Sequence, residues 1–192
     1  VGPWPVAEVD QRRIANLMTG LDIETGVVAR DMTGAPSLLE VDGLSRRGEF
    51  ADVTFTLRKG EVLGIVGLLG SGRTELALTL FGMNRSEGGQ IRLEGRDLDL
   101  RSNRDAVKAG IAYVSEDRLS LGVVLPQSIE DNMVLAVMKR LTGRFGLIPT
   151  VRRKALASEW VRRLAVKIPG LDRPVQTLSG GNQPRVVLAK WL

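Results

Sequence analysis

Gly64-Ile65-Val66-Gly67-Leu68-Leu69-Gly70-Ser71-Gly72-Arg73-Thr74-Glu75 is the stretch on which the reading of this chain turns. Gly67, Gly72 and Thr74 fall at the spacing of a phosphate-binding loop, with Arg73 standing where that pattern has Lys. Glycines permit the tight backbone path that turns successive N–H groups toward phosphate oxygens, and a helix opening at Arg73 adds the positive end of its dipole. The apolar run Val62 to Val66 reads as a buried strand leading in, and Thr74 to Phe81 as a helix leading out, stopped by Gly82. Candidate phosphate contacts are therefore Gly67, Leu68, Gly70, Ser71, Gly72 and Arg73, with the Thr74 hydroxyl placed to hold Mg2+. A glycine-rich turn between strand and helix, with no ligand, is the plainer alternative.

Working outward, Leu38 to Val41 and Ala51 to Leu57 read as strands, the second alternating Val53, Phe55 and Leu57 on one face. Arg58-Lys59-Gly60-Glu61 is the turn before the loop strand. About 100 residues after the loop comes Leu178-Ser179-Gly180-Gly181-Asn182-Gln183, directly before the helical run Val186 to Leu192. A hydroxyl and two glycines there fit a second anion site or an ordinary helix N-cap. With Ser179 as the cap, Pro184 takes the fifth helical position, where its missing N–H costs about 3 kcal/mol. With Gly181 as the cap it falls in the tolerant first turn.

Between the two motifs the pattern is helical. Ser128-Ile129-Glu130-Asp131 resembles a capping box, and Ile129, Met133, Val134, Val137 and Leu141 form an apolar stripe. A second helix follows Thr150, with the stripe Val151, Ala155, Leu156, Trp160, Val161 and Leu164, and with Arg152, Arg153, Arg162 and Arg163 on or beside its polar face.

Composition narrows the chemistry. At 192 residues and 43% hydrophobic, the chain can enclose one core and little more. It has no Cys and no His, so disulfides, thiolate metal sites and imidazole catalysis are excluded, and carboxylates, hydroxyls, amides and cations must do the work. No apolar run approaches the roughly 20 residues of a membrane span, and acidic residues interrupt Val1 to Ile14, so a cytoplasmic location is expected. The net charge of +5 is spread along the chain and aromatics are only 4%, which argues against nucleic acid and for a basic surface near anionic headgroups.

The two motifs in this order and spacing resemble the ATP-binding cassette of ABC transporters, over Leu38 to Leu192. Phe81-Gly82, Glu116-Asp117-Arg118 with Gly122, and Leu188-Ala189-Lys190-Trp191-Leu192 make it similar to the second cassette of tandem-cassette importer ATPases for ribose, galactose and xylose. The resemblance implies an α/β P-loop NTPase fold with a β-rich N-terminal edge and a helical subdomain. The implied boundaries are 1–24 for the tail of a preceding cassette, 25–37 a linker, 38–124 the P-loop core, 125–177 the helical subdomain and 178–192 the signature motif with the start of its helix. Leu17-Met18-Thr19-Gly20 carries the likeness to a preceding cassette.

The same resemblance implies ATP and Mg2+ as cofactors, with Glu116 at the metal beside Thr74. It implies that Ser179, Gly180 and Gly181 face a nucleotide on a second cassette packed head-to-tail. The working partners would be transmembrane permease subunits and, indirectly, a periplasmic sugar-binding protein, with the cassette peripheral on the cytoplasmic face of the inner membrane and no nucleic acid involved. A cassette that binds without hydrolysing, and a soluble ABC protein of translation or DNA repair, are the alternatives.

Several positions depart from the family's pattern. Arg73 replaces a compact ammonium with a planar fork that pairs phosphate from a different place. Glu116 stands where the family has Gln, and Glu116-Asp117-Arg118 also fits a solvated charged turn. Phe50 is the one candidate for stacking on adenine, and a strand-edge core Phe is the simpler reading. Val1 is not Met, and the helical run into Leu192 has no stop signal, so a piece of a longer protein is expected. The family's acidic strand end and switch histidine follow the signature helix, and hydrolysis is not expected of these 192 residues alone.

Overall fold

Alternation along β2 (Phe50–Arg58) sets how the sheet meets its helix: Val53, Phe55 and Leu57 are half-buried while Thr54, Thr56 and Arg58 are exposed. In this computed structural model, which describes residues 3–5, 9–10, 13–14, 16–17, 31–117, 121–143 and 146–192, β2 pairs antiparallel with β1 (Ser37–Arg46). β1 pairs on its other edge with β3 (Gly88–Leu93), and β3 with the two-residue β4 (Arg96–Asp97), all antiparallel, in the order β2-β1-β3-β4.

The chain divides into two units, Val1–Ala35 and Pro36–Leu192. In the first, the Asp10 carboxylate accepts from the Arg13 N–H at 2.7 Å and its carbonyl from the Ile14 N–H at 3.0 Å, capping a helical turn at Arg13, Ile14, Asn16 and Leu17. Met18 to Arg30, which hold the end of the segment read as a preceding cassette's tail, including most of Leu17-Met18-Thr19-Gly20, and the first part of the linker, lie outside the described residues.

In the second unit, α1 (Arg73–Leu80) leaves the glycine-rich loop and lays Leu76 and Leu80 against Val41, Leu44 and Ile91 of the sheet. Glu75 in its first turn complements the dipole. Its end is a Schellman motif. Gly82, at φ +72°, donates to Thr79 O at 2.9 Å and Met83 to Leu78 O at 2.9 Å, so the expected stop at Gly82 is where the helix ends. α2 (Asn103–Lys108) follows the sheet.

A second core belongs to the helices. α3 (Ile129–Val134), α5 (Thr150–Arg163) and α6 (Gln183–Trp191) pack around Ile129, Met133, Ala157, Val175, Val186 and Val187, each at most 1% exposed. A full burial of this kind contributes roughly 1.5–3 kcal/mol per large aliphatic side chain. Ser128 caps α3 as its sequence predicts, accepting from the Asp131 N–H at 3.1 Å. A short 3-10 turn (Leu135–Val137) joins α3 to α4 (Met138–Leu141).

Three expectations are corrected. Val62 to Val66 forms no strand, because an apolar run becomes one only against a partner edge, and none pairs with it among the described residues. Val62 and Val66 are 95% and 91% exposed instead. Ser179 is not the cap of α6: the helix begins at Gln183 after Asn182, which puts Pro184 in the first turn, where its missing N–H has no intrahelical partner to lose. The stripe of α5 holds at its C-terminal end, where Trp160, Val161 and Leu164 pack on the helical core, and departs at its start. Val151 is 80% exposed and Ala155 is also outside, while Ala157 is buried and Arg153 points inward.

Candidate functional site

Gly72 is where the loop becomes a helix. It is buried, at φ +83°, and a Cβ there would fall on the carbonyl oxygen of Glu49, with the Phe50 Cβ at 3.3 Å. Only glycine supplies both that conformation and that clearance. Gly70, at φ +79°, has nothing within 4 Å of a Cβ position, so its need is conformational alone. A Cβ on Gly67 would fall on Ser71 Oγ. The Ser71 N–H donates to Leu68 O at 3.1 Å, closing the turn, and Gly67 to Ser71 face solvent.

Beside the start of α1 lies a cleft of about 460 Å³ whose wall includes Arg73, Thr74, Tyr113, Glu116, Asp117 and Leu121. Arg73, Thr74 and Glu116 thus line one space, although 42 residues separate Thr74 from Glu116 in sequence. A hydroxyl and carboxylates are hard oxygen donors of the kind Mg2+ takes together with phosphate oxygens and water. No group of three His, Cys, Asp or Glu that could hold a metal by itself occurs among the described residues, so phosphate would have to complete such a site. Asp117, whose N–H donates to Ser115 Oγ at 3.1 Å, also lines the cleft, although the sequence marked it only within Glu116-Asp117-Arg118 and not as a site residue. Arg118 lies outside the described residues. Phe50 packs against the sheet core, which is the simpler of its two readings.

Ser179, Gly180 and Gly181 are all exposed, and a Cβ on either glycine would meet nothing within 4 Å. They do not line the cleft. Asn182 organises the turn. Its amide donates to Ser179 Oγ at 2.9 Å, and its side-chain oxygen accepts from the Lys167 N–H at 3.0 Å.

Two contacts tie α6 to the cleft side. Phe81, at the end of α1, stacks with Tyr113 at 5.5 Å and meets Trp191 edge-on at 5.6 Å. Lys190, only 8% exposed, donates to Gly122 O at 2.7 Å, one residue past the cleft-lining Leu121. Its position was legible: Val186, Val187 and Lys190 share one helical face, and the first two are core. Burial, which penalises the charged form, holds the Lys190 ammonium below the ordinary 10.5. The unfolded chain then binds that proton more tightly, so stability is reduced at neutral pH and recovers as pH rises toward 10.5. Lys190→Met should remove that recovery. Urea unfolding at about pH 7.5 and about pH 10 checks it: an equal rise in wild type and variant would assign the effect to other groups.

A glycine-rich loop opening a helix beside a mainly apolar cleft edged by Arg73, Thr74, Glu116 and Asp117, joined to an antiparallel edge sheet and a helical layer, defines a P-loop cassette fold. Among solved structures, a bacterial ABC transporter cassette in dimeric form superposes with a TM-score of 0.65 at 18% identity, over 81% of this chain and 69% of that one. A post-hydrolysis cassette structure with ADP and Pi gives 0.64 at 18%, over the same shares. The family model described as ABC transporter matches residues 50–192, and the chain belongs to that family.

The ribose import ATP-binding protein RbsA 2 of Rhizobium johnstonii is 43% identical over 192 residues, all of this chain and 37% of that protein. The RbsA 2 protein of Rhizobium etli is 50% identical over 155 residues, 81% of this chain and 30% of that protein. The chain therefore spans a little over a third of the length of the curated relatives it matches end to end. No helix among the described residues is long and apolar enough to cross a membrane.

Proposed function

We propose that this chain is the nucleotide-binding part of an ABC importer ATPase, in which MgATP binding and hydrolysis drive carbohydrate uptake. The observation that carries the reading is the meeting of Arg73, Thr74 and Glu116 in one cleft at the mouth of a glycine-rich loop. The amides of Gly67 to Gly72 and the start of α1 hold the phosphates, Arg73 pairs with them, and Thr74 and Glu116 hold Mg2+. Bound Mg2+ would supply charge neutralisation on the phosphates. Ser179, Gly180 and Gly181, exposed before α6, serve a nucleotide on a facing cassette in a head-to-tail pair. The names of the relatives support ribose or a related sugar as cargo and permease subunits as partners, with the cassette peripheral on the cytoplasmic face of the membrane.

The test is titration of the intact protein with ATP, with and without Mg2+. Because amides carry most of the phosphate contact, Arg73→Ala should weaken binding by about tenfold to a hundredfold, roughly 1.4–2.8 kcal/mol, without abolishing it. Arg73→Lys should stay within about tenfold of wild type, since both cations reach phosphate. Thr74→Ala should weaken binding only when Mg2+ is present. A Thr74→Ala loss of equal size without the metal would sink its assignment. The planar fork at Arg73 also favours a second reading, in which this cassette binds ATP to close a pair without turning it over. Single-turnover phosphate release separates the two.

A further inference from the structure

The corner between α4 and α5 carries a charge pattern that the nucleotide reading does not use. From Asn132 to Ser158 the sequence has no Asp or Glu, yet Lys139, Arg140, Arg152 and Lys154 all lie exposed in it, with no acidic partner among the described residues. Arg153 is the exception. It turns inward, its Nη2 2.8 Å from Glu130 and its Nη1 2.9 Å from Asp131. The first turn of α5 holds no acidic residue, and Pro149 gives it no side-chain cap. Arg152 and Lys154 therefore lie in the first turns, beside the positive end of their own helix, an arrangement unfavourable until an anion meets it.

Apolar side chains interleave with these cations. Leu147 is 74% exposed, Val151 80% and Met138 40%. Val151 and Ala155 form the outer ridge of α5, with Arg152 on one side and Lys154 on the other at 100° per residue. The intervening loop closes on itself. Gly143 donates to Leu147 O at 2.8 Å and Gly146 to Gly143 O at 3.0 Å, which holds Gly143, two residues past α4, against Leu147, three residues before α5.

We infer that this corner is a contact surface for an anionic phospholipid bilayer, with Lys139, Arg140, Arg152 and Lys154 at headgroup phosphates and Leu147, Val151 and Met138 at the acyl boundary. Charge complementarity selects an anionic surface, and the exposed apolar side chains between the cations select a bilayer over an acidic protein segment. The inference uses no residue of the nucleotide cleft and does not depend on what binds there.

The experiment is co-sedimentation of the protein with vesicles of phosphatidylcholine, with and without phosphatidylglycerol, over a range of salt. The protein should bind only the anionic vesicles, less at higher salt. At about 1 kcal/mol per cation, the double variant Lys139→Ala/Arg152→Ala should bind about 30-fold more weakly. Leu147→Ser/Val151→Ser should lose about tenfold, and Lys59→Ala/Arg104→Ala, which changes net charge equally at exposed sites on other elements, should stay within about threefold. All six side chains are exposed, so folding is preserved, as circular dichroism checks. No binding to anionic vesicles overturns the inference. So does an equal loss in the Lys59/Arg104 control, which would make the attraction one of net charge. Apolar variants that bind like wild type would also overturn it, because the patch would then suit an acidic protein surface.

Discussion

Gly72→Val should abolish ATP binding in the intact protein, whereas Gly70→Ala should weaken it by about tenfold. Both glycines have positive φ, so a side chain at either costs roughly 1–2 kcal/mol of backbone strain. Gly70 has open space around it, and strain is the whole cost. At Gly72 a Cβ would land on the Glu49 carbonyl oxygen, a backbone atom at the end of the turn between β1 and β2 that cannot swing aside. The start of α1 must then shift away from the sheet, taking the amides of the loop with it. Titration calorimetry measures the two losses, and denaturant unfolding distinguishes a displaced loop from a collapsed fold. Equal, modest losses in both variants would mean that the loop is held by something other than the Gly72–Glu49 approach.

Arg153→Ala should be the most destabilising single change in the helical layer, by about 3–5 kcal/mol, because it leaves the 4% exposed Glu130 without its cation. The pair itself is poorly compensated. Glu130 Oε2 and Arg153 Nε are buried with no hydrogen-bond partner among the described residues. Glu130→Met/Arg153→Met should for that reason recover most of the loss, ending within about 1 kcal/mol of wild type. Urea unfolding of the two variants decides it. A double variant as unstable as the single would mean that the charges hold α3 and α5 together in a way that apolar packing cannot replace.

Features whose cause lies within a few residues were legible in the sequence. The strand β2 followed from alternation at Val53, Phe55 and Leu57, the end of α1 from Gly82, and the cap of α3 from Ser128. The loop and its helix followed from glycine spacing, and Glu116 in the same cleft from the family resemblance. What escaped depends on distant partners. Val62 to Val66 has the composition of a strand, but pairing is a property of two segments. The inward turn of Arg153 at the start of α5 was missed because its partners Glu130 and Asp131 lie 23 and 22 residues earlier, beyond the reach of helical spacing. For Lys190 the helical face shared with Val186 and Val187 was visible in sequence, but its acceptor at Gly122, 68 residues away, was not.

The aromatic contact at the far end of α1 has an optical consequence. Trp191 meets Phe81 edge-on at 86°, and Phe81 ends the helix whose other end opens the glycine-rich loop. The indole of α6 is therefore a built-in fluorophore resting on the tail of the loop helix. Trp4 and Trp160 are the other two tryptophans, and with both replaced by Phe the emission would come from Trp191 alone. A shift in its wavelength on adding nucleotide would record, without any dye, the sliding of one helix end past the other in real time.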